Sequence, residues 1–149
     1  MIDAFVAYIH YLGIMALMAA LVSEYLLIGG NFDLARARQL VGLDLIYGVA
    51  AGAVLVTGVL RMFYFGKGAA FYLENPLYHA KLGLFIFLAF LSVYPTVQFR
   101  SWRPSVKAGE LPDVPRARLT AMRRVVRLEL LAVVLIPLLA VMMGRGFGY

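Results

Sequence analysis

Residues 4–29 read AFVAYIHYLGIMALMAALVSEYLLIG, with no formal charge between Asp3 and Glu24. An α-helix rises about 1.5 Å per residue and a bilayer's hydrocarbon core is about 30 Å thick, so about 20 residues suffice to cross it. This run is long enough. A cleaved signal peptide needs a basic start, a short apolar core and a small-residue cleavage site; this one opens on Asp3 and stays apolar too long, which predicts a retained span.

Three further runs follow the same rule: about 41–60, interrupted early by Asp44; about 76–98, carrying His79 and Lys81 near its start; and about 125–143, with Arg127 and Glu129 in its first turns and Pro137 as an expected kink. The expected fold is all-α, an integral-membrane four-helix bundle forming one domain over residues 1–149. The polar stretch from Arg100 to Arg118 contains Pro104, Pro112 and Pro115 and reads as a surface loop. Composition agrees: 63% of the 149 residues are hydrophobic, against about 45–50% in soluble domains. Mean hydropathy is +0.85.

The net charge of +6 is then a matter of topology. Arg36, Arg38, Arg100, Arg103, Lys107, Arg116, Arg118, Arg123, Arg124 and Arg127 fall on one side of the membrane, while Arg61, Lys67 and Arg145 fall on the other. By the positive-inside rule the first side is cytoplasmic. Both termini are expected outside the cytoplasm, in a bacterial inner membrane. Nucleic acid is not an expected partner, because a basic groove needs exposed polar surface. The chain has no cysteine, which excludes disulfides, thiolate catalysis and Cys-ligated metal. Nucleotide-binding glycine loops and hydrolase motifs are also missing.

Ionisable groups inside a span cost a few kcal/mol and normally face a partner, water or the bundle interior. His10, Glu24, Asp44, His79, Lys81 and Glu129 are such groups. The two histidines enter from the same leaflet, so two helices of one bundle would present axial imidazoles to a b-type haem, or to another metal. Arg61, Lys67 and Lys81 lie on that side as cations for propionates, or as snorkelling anchors. His79 and Lys81 stand about 200° apart around their helix and cannot share a face. His10 and Glu24 do share one with Gly13, Leu17 and Leu21, which marks the bundle-facing side of span one. Glu24, Asp44 and Glu129 meet Arg123, Arg124 and Arg127 in the cytoplasmic leaflet, as an ion-pair network or a proton path. Gly48, Gly52 and Gly58 offer a small-residue surface for a helix or a flat ligand. The hydroxyls of Ser23, Thr57 and Ser92 have no histidine at an obvious depth and are expected to bond backbone.

The segments Gly58 to Gly68, Asn75-Pro76-Leu-Tyr-His79-Ala-Lys81-Leu and Ser92-Val-Tyr94-Pro95-Thr96 closely resemble, over essentially the whole chain, a family of bacterial four-span proteins described only as predicted membrane proteins. More distantly, His10 with His79-x-Lys81-Leu is similar to the membrane protoporphyrinogen oxidases called HemJ and to the copper-resistance D proteins. The HemJ resemblance implies b-type haem with His10 as a ligand, and Lys81 as a catalytic residue that partners substrate or propionate. This chain has Glu24 where that family has an arginine late in span one, and it lacks the tryptophan before the span-three histidine. The seven methionines form no copper-binding cluster.

The expected function is a haem-binding redox protein using His10, His79, Arg61 and Lys81, exchanging electrons with a membrane quinone or a porphyrinogen. The alternatives are a non-enzymatic subunit or scaffold of an oligomer or larger membrane complex, and a small-ion or solute transporter using Glu24, Asp44 and Glu129.

Overall fold

The computed structural model describes residues 1–65 and 68–148; Lys67, read above as an interfacial cation, lies outside them. All regular structure among the described residues is helical: α1 (Ile2–Ile28), α2 (Leu34–Leu60) running on into a π-helical turn (Arg61–Phe65), a short α3 (Ala69–Leu73), α4 (Pro76–Ala108) and α5 (Arg116–Gly144). Four helices are long and apolar enough to cross a bilayer, as the apolar runs predict.

The helix ends follow local chemistry. Asp33 caps α2 by accepting the Arg36 backbone N–H at 2.8 Å. Asn75 caps α4 by accepting from Leu77 at 2.9 Å, with Pro76 at the first helical position, where its missing N–H costs nothing. The Asn75 amide also donates to the Phe147 carbonyl at 3.1 Å, pinning the turn after α5 to the start of α4.

At the basic end the expected loop from Arg100 to Arg118 is corrected. Helix α4 continues to Ala108 through Pro95 and Pro104, and α5 already begins at Arg116, so the connection shrinks to residues 109–115. Arg and Lys are good helix formers, and Phe99, Trp102 and Val106 keep one buried stripe at i, i+3 and i+7 after the helix has left the apolar layer. Trp102 packs edge-on against Phe99 and against Phe32 of the α1–α2 turn, with centroids 5.1 and 5.3 Å away. Gly109 stops the helix at φ 76°, a left-handed conformation suited to glycine, while the Glu110 N–H bonds the Ser105 carbonyl at 2.9 Å.

Helix α1 packs on α2 and α5, and α4 packs on the same two, so α1 and α4 face each other across a diagonal. Gly13 lies directly against α2, where a Cβ would sit 2.8 Å from Val54 Cγ2. Gly13, Leu17, Leu21 and Glu24 are all buried, as expected for the inward stripe of α1.

The core is lopsided. Leu17, Leu21, Leu40, Phe99, Met122 and Val126 crowd the half of the bundle on the basic side. Towards the other side, among the described residues, no side chain of α4 before Leu88 is buried, only Thr57 of α2 is buried after Ala50, and only Met143 of α5 after Val133. The outer faces carry large apolar residues such as Val49, Phe90 and Leu131, which suit lipid rather than water.

Candidate functional site

In this half, where few side chains are fully buried, His10 is half-buried and turns its Nδ1 towards Thr57 Oγ1 at 2.9 Å. The Thr57 hydroxyl spends its proton on the Ala53 carbonyl at 2.5 Å. Its oxygen can then only accept from His10, which puts the imidazole proton on Nδ1, beside the Val54 carbonyl as a second acceptor, and leaves Nε2 with its lone pair. This partnership was not legible from residue types, and the expectation that Thr57 bonds backbone alone is corrected. Ser23 donates to the Ala19 carbonyl as expected, and Ser92 donates to the Ala89 carbonyl but also meets the Tyr47 hydroxyl. The antiparallel register that sets Gly13 opposite Val54 sets His10 opposite Thr57, and the length of the α1–α2 turn is the signal that could have found it.

Gly58 flanks the same imidazole, since a Cβ there would lie 3.5 Å from His10 Cε1. Arg61 and Lys81 both lie within electrostatic reach of the ring. The Arg61 guanidinium sits 5.5 Å from the centre of the Tyr11 ring, and Lys81 Nζ sits 5.2 Å from that of Tyr78. Lys81 is half-buried and is the inward member of the pair that cannot share a face.

His79 is the outward member. It is exposed, and its Nε2 donates to the Leu73 carbonyl at 2.8 Å, across the turn between α3 and α4. The structure therefore places His10 with Arg61 and Lys81 and sets His79 apart, engaged with its own connection. No group of three or more His, Cys, Asp or Glu among the described residues is arranged to hold a metal ion.

A second polar cluster lies in the basic half. Glu24, Asp44 and Glu129 are all buried, come from α1, α2 and α5, and act on one another electrostatically. Tyr47 donates to Glu129 Oε1 at 3.4 Å, and Thr96 of α4 donates to Asp44 Oδ1 at 2.5 Å. The expected ion pairs with Arg123, Arg124 and Arg127 do not form: among the described residues the one ion pair joins the amino terminus to Asp3 at 3.1 Å. Arg123 lies instead 4.4 Å from the centre of the Tyr25 ring. One oxygen each of Glu24 and Glu129 is buried without a hydrogen-bond partner. Sequence depth alone brought the arginines to the right level, but Arg124 and Arg127 are exposed, and Arg123, whose Nε is buried, lies against Tyr25 rather than a carboxylate.

The family described as "Predicted membrane protein (DUF2214)" matches residues 2–148. No curated protein and no solved structure matches the chain.

Proposed function

The chain belongs to the DUF2214 family of predicted membrane proteins, and for it we propose a membrane-embedded redox role in which His10 holds a b-type tetrapyrrole. One observation carries the reading: the Thr57 bond orients His10 with its proton on Nδ1 and the Nε2 lone pair available, in the half of the bundle where few side chains are fully buried. A metal-ligating imidazole usually donates its other N–H to an acceptor that orients it, which is the part Thr57 plays. Arg61 and Lys81 supply positive charge beside the ring for two propionates, and Gly58 keeps the α2 surface flat next to it. The likeness of His10 and Lys81 to the HemJ pattern points the same way.

A tetrapyrrole here would be held by one imidazole, that of His10, with His79 left on the Leu73 carbonyl. The tetrapyrrole iron would supply reversible one-electron chemistry. The chain's own residues do the rest: Thr57 holds the ligand's orientation, Arg61 and Lys81 hold the acidic edge, and the apolar half-bundle excludes water, all of which tune a redox potential. Lys81, the inward cation, is the residue placed to meet an anionic substrate edge if the protein turns over a porphyrinogen. The ten basic residues on one side support an inner-membrane orientation with that side cytoplasmic and the His10 site near the outer face.

The test is a reduced-minus-oxidised spectrum of protein purified in mild detergent from haem-replete cells. A Soret band that persists in His79→Ala and disappears in His10→Ala is the expected result. A colourless wild-type protein overturns the reading and favours the subunit or scaffold alternative; loss of the band in His79→Ala restores ligation by both histidines.

A further inference from the structure

Between α2 and α4, in the basic half, a cleft of about 400 Å3 opens sideways to the lipid. Its floor is polar. Asp44 and Tyr47 reach it from α2, and Ser92, Thr96, Arg100 and Arg103 from α4, where they stand at i, i+4, i+8 and i+11 and form one stripe. Asp44 is 6% exposed, and the Thr96 hydroxyl occupies its Oδ1. Gly48 also lines the cleft, and nothing lies within 4 Å of where its Cβ would be. The rim residues Leu45 and Val49 are exposed apolar side chains, so the mouth faces acyl chains.

The occupant of such a cleft must arrive through the bilayer, be flat enough to lie on Gly48, and offer polar atoms at two depths. One end meets a carboxyl flanked by hydroxyls. The other meets two guanidiniums. From Thr96 to Arg100 is one turn of helix, about 6 Å of rise, close to the separation of the two para oxygens of a benzoquinone ring. We propose that this cleft binds the head group of a membrane quinone or quinol, with one ring oxygen accepting from Arg100 and Arg103 and, in the quinol, the other donating to the Asp44 carboxylate. Clefts of this size are ordinary for small-molecule sites in which a few polar groups fix orientation on apolar walls. A phospholipid fits less well: its phosphate would reach the arginines, but the layer beneath is ester and acyl chain, which offers the Asp44 carboxylate no donor beyond the Thr96 hydroxyl it already has.

Ring binding needs no tetrapyrrole, whereas its use as an electron carrier rests on the redox reading above. Trp102 is the only tryptophan and adjoins Arg103, so quenching of its emission by decyl-ubiquinone in detergent micelles reports binding. Wild type is expected to show saturable quenching that decanol does not compete away. Gly48→Leu, whose Cβ meets nothing within 4 Å and whose side chain would occupy the cleft, and the double variant Arg100→Gln/Arg103→Gln are each expected to weaken binding at least tenfold with helical circular dichroism unchanged. Asp44→Asn, which keeps an acceptor but loses charge, should weaken it less. Non-saturable quenching, equal quenching in Gly48→Leu, or displacement by phosphatidylglycerol but not by a second quinone overturns the proposal. His10→Ala should retain quinone binding, and Gly48→Leu should retain any haem band, so each idea can fail alone.

Discussion

Thr57→Val removes one hydroxyl from the interior and nothing else of comparable size. Thr57 is 6% exposed, so the replacement methyl stays packed, and the Ala53 carbonyl keeps its helical N–H bond. What changes is His10, whose Nδ1–H loses the acceptor 2.9 Å away. With the Val54 carbonyl still beside the ring, the lost hydrogen bond costs about 0.5–1.5 kcal/mol, and for a chain of this length 1 kcal/mol shifts a melting midpoint by roughly 2–4 °C. Losing an outer-shell partner typically lowers the affinity of a metal ligand by about 10–100-fold, which corresponds to about 1.4–2.7 kcal/mol. The measurement is a haem titration of the apo-protein in detergent beside a thermal melt, with Thr57→Ser as the control that restores the hydroxyl. Thr57→Val should bind haem at least tenfold more weakly than Thr57→Ser. If the two variants bind alike, the hydroxyl does not orient His10, and the argument for a free Nε2 lapses.

Other outcomes can be checked in the same preparation. Asn75→Ala removes a helix cap together with the bond to Phe147, and should cost about 1–2 kcal/mol while amide exchange at residues 145–148 accelerates. Gly13→Val should destabilise by about 1–3 kcal/mol, because its Cβ meets Val54, whereas Gly52→Val, whose Cβ meets nothing within 4 Å, should be tolerated. The chain has no native cysteine, so single-cysteine labelling reads topology directly: an impermeant maleimide added to intact spheroplasts should label Glu74→Cys and spare Ser105→Cys.

The number of spans was legible because twenty-residue apolar runs have almost no other use. Element limits were less so. Arg100 to Ala108 looks like loop by composition, yet the buried stripe of Phe99, Trp102 and Val106 carries the helix on past Pro104. Shared faces along one helix were readable too: His10, Gly13 and Glu24 line up by simple rotation, and the structure buries them on one side. Contacts between helices were not. Whether His10 meets His79 or Thr57 depends on which helices are neighbours and in what register, and the sequence states neither. The arginines near Glu24 and Glu129 mislead for a related reason, since sharing a depth does not make long side chains point inward.

Helix α2 alone reaches each of the other three spans through a side-chain hydrogen bond: Thr57 to His10 of α1, Asp44 to Thr96 of α4, and Tyr47 to Glu129 of α5. Lipid offers these groups no substitute partners, so α2 inserted by itself is a half-finished part, stored at a loss until its neighbours arrive. Two half-chains severed at the α3 connection and co-expressed should consequently find each other, and the first hairpin expressed alone should fall to quality-control proteases.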